Sequence, residues 1–158
     1  MSKSLKRVTK ALADAGLDIT PIEMPAETRT AQQAADAAGC ALDQIAKSII
    51  FAGQESGEAI LFVTAGGNQV DADKATALAG EPLGKADAGL IRQQTGFAIG
   101  GVAPVGHLNP IRAFLDPHLL DFDEVFGAAG TPRHIFPIGP DDLVRVSGAE
   151  VVGFTVGE

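Results

Sequence analysis

Residues 45–51, Ile45-Ala46-Lys47-Ser48-Ile49-Ile50-Phe51, and residues 59–64, Ala59-Ile60-Leu61-Phe62-Val63-Thr64, are two apolar runs rich in β-branched side chains. Gly53-Gln54-Glu55-Ser56-Gly57 lies between them and supplies turn residues. Two such runs joined by a glycine-bounded polar turn predict a hairpin at the centre of a sheet. Lys47 is the one cation in the first run. Its ammonium either snorkels to water along its stem or points into a pocket, where a compact cation suits a phosphate or a carboxylate.

On the N-terminal side of the hairpin, Leu5, Val8, Leu12 and Ala15 recur at helical spacing before Gly16, which predicts an amphipathic helix over residues 3–15. Lys3, Lys6, Arg7 and Lys10 give it a basic side, read either as a solvated face or as a weak phosphate-facing patch. Residues 17–24 alternate as a short strand stopped by Pro25. Thr30 and Gln33 form a capping-box pattern ahead of an Ala-rich run to Ala38, with Gly39 after it. Cys40, the single cysteine, has no basic neighbour in sequence to lower its pKa and reads as a small packing residue.

On the C-terminal side, Gly66-Gly67-Asn68 turns the chain and Asp71 opens a helix that runs to Gly80. Capping and the helix dipole account for Asp71 and Asp73 without a metal. A further helix spans residues 87–94 and stops at Gly96. Strands are expected at residues 111–115, closed by Asp116-Pro117, at 124–126, at 134–138 and at 151–156, with a helix started by Pro140-Asp141-Asp142. Neighbouring strands are mostly joined by turns, and helices fall irregularly between them. The expectation is therefore an α+β fold with an antiparallel or mixed sheet carrying helices, in one domain over residues 1–158.

Residues 96–107, Gly96-Phe97-Ala98-Ile99-Gly100-Gly101-Val102-Ala103-Pro104-Val105-Gly106-His107, are too apolar for a solvent linker and too broken for a regular element. A semi-buried loop fits. Gly100 and Gly101 allow close backbone approach, and Pro104 removes one donor, leaving the other amides and carbonyls as the loop's polar equipment. It reads either as a rigid backbone cradle for a ligand or as a bulged strand end.

Composition narrows the function. With 46% hydrophobic and 20% charged residues over 158 positions, the chain can bury a core without staples. A lone thiol allows no internal disulfide, and with no signal-peptide core or membrane-length run the chain is expected in the cytoplasm. The net charge of -8 argues against broad contact with duplex DNA, which draws affinity from Lys and Arg. There is no dinucleotide fingerprint, phosphate loop, His-Glu-x-x-His or nucleophile elbow, and His107, His118 and His134 are scattered among Pro and Gly. No metal site and no cofactor are expected.

Four features together resemble the YbaK/prolyl-tRNA synthetase-associated domain family, the free-standing relatives of the editing domain of bacterial prolyl-tRNA synthetases. They are the helix start Thr30-Ala31-Gln32-Gln33-Ala34-Ala35, the strand around Lys47, the loop Gly100-Gly101-Val102-Ala103-Pro104 with Val105-Gly106-His107 after it, and a tail over residues 130–143 with Pro-Asp-Asp-Leu. The resemblance implies a mixed, partly barrel-like sheet surrounded by helices and hydrolysis of the ester of a mischarged aminoacyl-tRNA, tRNA-Pro carrying a small amino acid. Its partners are a tRNA acceptor end and a synthetase. Family members of the YbaK type carry Asp in the penultimate strand where this chain has Ile135. That departure disfavours a Cys-tRNA substrate and favours a small residue such as Ala.

Carried onto this sequence, the resemblance makes Lys47 the cation for the terminal phosphate or adenosine. It carries the family's loop onto Gly100 and Pro104; the backbone groups of Gly100, Gly101, Val102 and Ala103 are the expected grip on the aminoacyl group and its developing oxyanion, with Val102, Ala103 and Pro104 also expected to touch the substrate. Thr30, Ile50, Phe97 and His107 are the expected pocket lining. An activated ester needs only a positioned water, assisted by the substrate's own hydroxyl or amine. Two other readings stand beside it: a module that holds the aminoacyl-tRNA end or a nucleotide without turnover, and a DNA-binding regulator, which the acidic balance opposes.

Overall fold

The computed structural model describes residues 2–157. Eight strands form one mixed sheet: β1 (Ile22–Glu23), β2 (Ile45–Gly53), β3 (Ala59–Ala65), β4 (Leu83–Lys85), β5 (Arg112–Leu115), β6 (Val125–Ala128), β7 (His134–Ile138) and β8 (Glu150–Val151). The strand order is β1-β7-β6-β2-β3-β5-β8, with β4 also on β2. Five helices attend the sheet: α1 (Lys3–Asp14), α2 (Ala31–Ala38), α3 (Ala72–Ala79), α4 (Ala88–Thr95) and α5 (Pro140–Ser147). Two 3-10 turns, Leu42–Gln44 and Pro117–Asp121, are the other helical elements among the described residues.

The expected hairpin is the centre of the sheet. β2 and β3 pair antiparallel from Ala46 opposite Ala65 to Ala52 opposite Ala59. All seven β3 residues are buried. Burial of a large apolar side chain contributes about 1.5–3 kcal/mol, so this strand anchors the core on both faces. On one face Leu61 and Val63 join Leu5, Val8 and Leu12 of α1, Phe97, Val105 and Phe136. On the other, Phe62 stacks on Phe114 at 5.2 Å and meets Phe154 edge-on at 5.0 Å.

β2 has a second edge, and two short ladders share it. Parallel β6 covers only Ile45 and Ala46, and antiparallel β4 covers only residues 51–53. Neither ladder reaches residues 47–50 on this side.

Local chemistry explains the helix ends. Ser2 caps α1 by accepting the Leu5 amide at 3.0 Å, Thr30 and Gln33 form the reciprocal box of α2, and Asp71 accepts the Asp73 and Lys74 amides. Two expected strands are shorter than their alternation suggests. Of residues 17–24, only Ile22 and Glu23 find a partner strand, in β7, because Leu17 and Ile19 instead pack their side chains on the core and Pro21 offers no amide. Of residues 151–156, only Val151 belongs to β8; Phe154 plugs the second core and Thr155 bridges Val70.

The loop at residues 96–107 is semi-buried as expected and is pinned from two sides. Arg7, expected on a basic face, turns inward: it donates to the Gly96 carbonyl at 2.7 Å and the Gly106 carbonyl at 3.3 Å, with its guanidinium 5.0 Å from the Phe97 ring centroid. Gly101 lies against the β6–β7 connection, where a Cβ would stand 2.8 Å from the Thr131 carbonyl carbon. Gly101→Ala is expected to lower stability by about 1–3 kcal/mol, read as a lower denaturation midpoint at unchanged slope.

Candidate active site

The uncovered stretch of β2 opens into a cavity of about 100 Å³. Residues 45–48 form its floor. The start of α2 supplies Thr28, Arg29, Thr30, Ala31 and Ala34, the loop supplies Gly100 and Val102, and the diverging pair β6–β7 supplies Phe126, Gly127, Ala128 and Ile135. The lining is mostly apolar, with Lys47 and Ser48 on the floor and Thr28, Arg29 and Thr30 before and at the start of α2.

Lys47 is the cation of this wall. Its ammonium donates to the Asn68 carbonyl at 3.0 Å and the Gly66 carbonyl at 3.4 Å, which leaves one of its three donors uncommitted by those contacts. Burial pushes it below its ordinary pKa. Opposite it in the β2–β3 ladder stands Thr64, fully buried. The hydroxyls of Ser48 and Thr64 are the two buried side-chain polar atoms without a hydrogen-bond partner among the described residues. Ser48 lines the cavity, and its hydroxyl is a buried polar group that no side chain or backbone atom among the described residues pairs.

At the mouth, Arg29 lies over Gly100, whose φ of +93° and lack of a Cβ make room for the guanidinium. Arg29 pairs with Glu27 at 2.8 Å, and this contact holds the Glu27 carboxyl below its usual range. Both side chains are about half exposed. Thr30 accepts the Gln33 amide, and its hydroxyl hydrogen remains free to donate to a guest.

Of the residues singled out from sequence, Lys47, Gly100, Val102 and Thr30 line the cavity. Six others do not. Phe97 and Ala103 are fully buried in the main core, and Gly101 is held against Thr131 with its amide committed to the Ala98 carbonyl at 3.1 Å. Pro104 packs behind Gly127. Ile50, one step along the strand face from Ser48, is wedged beside the Ala52, Ala86 and Ile91 cluster. His107 sits edge-on to Phe97, its Nε2 2.8 Å from the Ala103 carbonyl. A carbonyl only accepts, so Nε2 carries a proton, and burial, with the Arg7 charge, pushes the imidazole below its ordinary pKa against the opposing Ala103 contact. These six shape the wall from behind.

Ser48 was missed because alternation sends it to the opposite strand face from Lys47; only the gap along the strand edge lets both border one cavity. Arg29 carries no signal beyond its place before the helix cap. Cys40 is half-buried on α2's packing cluster, with its thiol pushed up by burial, as a packing residue should be. No group of three metal-ligating side chains occurs among the described residues.

The recess is small and mostly apolar, carries a half-buried lysine and lies where a strand loses its neighbour, the kind of cleft in which compact ligands bind. The chain matches the aminoacyl-tRNA editing domain over residues 25–146 and belongs to that family. It is 46% identical, with a TM-score of 0.91 over 99% of both chains, to a crystal structure assigned provisionally as a trans-editing enzyme for prolyl tRNA synthetase. It is 44% identical, with a TM-score of 0.92 over 99% of this chain and 100% of the other, to a structure from a study of epitope grafting on scaffold proteins. A Bacillus subtilis (strain 168) protein, YwhH, described as uncharacterized, is 34% identical over 85% of this chain and 83% of its own.

Because the Ser48 hydroxyl is buried and unpaired, its removal relieves a desolvation cost of about 1–3 kcal/mol in the empty protein. Ser48→Ala is therefore expected to be as stable as the wild type or more so in thermal unfolding.

Proposed function

We propose that the chain hydrolyses, in trans, the ester of a mischarged aminoacyl-tRNA bearing a small amino acid, tRNA-Pro with Ala being the leading candidate. The observation that carries this reading is the cavity itself: about 100 Å³, largely apolar, with Lys47 and Ser48 on its floor. Such a volume takes a short side chain with its carbonyl and leaves the nucleoside at the mouth, and clash rejects larger residues better than an apolar pocket could select among small ones.

The chemistry needs no protein nucleophile. Water adds to the ester carbonyl carbon, the bond to the ribose oxygen breaks, and the ribose oxygen leaves with a proton as free amino acid and tRNA form. Lys47 holds the terminal phosphate or adenosine with its remaining donor. The Gly101 amide is already used, so the amides of Gly100 and Val102 are the ones this loop offers to the developing oxyanion. Gly101, Ala103, Pro104, Phe97, Ile50 and His107 keep that backbone in place. Ser48 orients the acyl group, and Arg29 meets phosphate at the mouth. Ile135, buried in the wall, makes that side of the cavity apolar. The enzyme acts in the cytoplasm beside a prolyl-tRNA synthetase and needs no cofactor.

The test is a panel of tRNAs charged with labelled Ala, Ser, Cys or Pro, followed for loss of the ester. One small amino acid is expected to be released quickly; Lys47→Ala should slow it by about 10²-fold or more and Ser48→Ala by about ten-fold. Ester half-lives that match the protein-free control for all four would end the hydrolase reading and leave a binding module.

A further inference from the structure

The ammonium of Lys47 is held by carbonyls of residues 66 and 68, so whatever fixes that turn fixes the lysine. Two carboxylates do so. Asp116, fully buried, accepts the Ala65 amide at 3.1 Å and the Asn68 side-chain amide at 2.8 Å on one oxygen, and the His118 amide at 3.0 Å on the other. Asp43, in the 3-10 turn ahead of β2, accepts the Gly67 amide at 2.8 Å through Oδ1. Its Oδ2 meets His118 Nε2 at 3.1 Å, and His118 Nδ1 meets Asp121 at 2.9 Å. A relay thus runs from Asp121 through His118, Asp43 and the Gly67 amide to the carbonyls that face Lys47.

We propose that Asp43 and His118 are positioning residues for Lys47, acting through the turn at residues 66–68. This rests on the role given to Lys47 above. A neutral imidazole donates from one nitrogen only, so both carboxylate contacts are satisfied as donors only by the imidazolium. The contacts with Asp121 and Asp43 hold His118 above its ordinary value. The groups facing it are Asp43 and Asp121, the Phe122 ring at 5.4 Å and, across the adjoining groove, Asn68 and Thr155, whose carbonyl accepts from Lys74. A raised folded pKa means that the clamp is complete at low pH and loses one contact as pH rises through that raised value.

The test is an NMR titration of the full chain from about pH 5 to about pH 9, following the His118 ring and the Lys47 Cε resonances, the latter assigned with Lys47→Arg. In the wild type, Lys47 is expected to shift at the His118 midpoint, and the shift should vanish in His118→Phe and in Asp43→Ala. Asp43→Asn, which can still accept the Gly67 amide, should weaken it. Ester hydrolysis measured on the same samples should lose about three-fold in kcat/KM above the His118 midpoint, chiefly through a higher KM because Lys47 holds the bound tRNA end, and His118→Phe should flatten that limb. A Lys47 signal indifferent to His118 titration overturns the proposal whether or not any ester is cleaved. Coupling without any hydrolysis overturns the hydrolase reading and leaves the relay standing.

Discussion

The structure depends on a shortage of partners along one strand edge. β2 is fully paired to β3 on one side, and on the other it is served by two fragments, β6 at its start and β4 at its end. A continuous neighbour would have sealed the sheet and left no room between α2 and the central loop. The cavity exists because that neighbour is missing over four residues, and the residues exposed there include Lys47 and Ser48.

Holding such a gap open requires a rigid surround. The loop cannot supply rigidity through its own hydrogen-bond ladder, so it borrows it: from Arg7 at both its ends, from the tight contact of Gly101 on Thr131, and from Phe97 sunk in the core. The same core that makes the protein stable thereby shapes the recess. Of the two buried hydroxyls without a partner among the described residues, only that of Ser48 belongs to a residue lining the recess.

Much of this could be read from residues in order. The hairpin, the capped helices and the semi-buried loop follow from local rules: β-branched runs, Ser, Thr or Asp at helix starts, glycine at left-handed caps. What could not be read was long-range. Alternation alone makes residues 17–24 and 151–156 look like strands, but an edge needs a partner, and the sheet offers one to only part of each. The same limit explains the site. Loop residues such as Phe97 and His107 looked like pocket lining because they adjoin Gly100 in sequence, yet in a loop that folds back on the core adjacent side chains part company. Asp116, which reads as a strand stop, proves to be a buried carboxylate with three donors: the His118 amide is a local cap, but the Ala65 amide and the Asn68 side chain reach it only through the folded turn at residues 65–68.

The most direct test of the account is to map where an aminoacyl end sits. Amide-linked alanyl-adenosine, which cannot be hydrolysed, would be titrated into 15N-labelled protein. The largest shifts are expected on residues 46–48, on Gly100 and Val102 and on the start of α2, and they should be lost in Ser48→Phe, which fills the recess. Shifts centred on the groove beside His118 and Thr155, or shifts that survive that substitution unchanged, would contradict it.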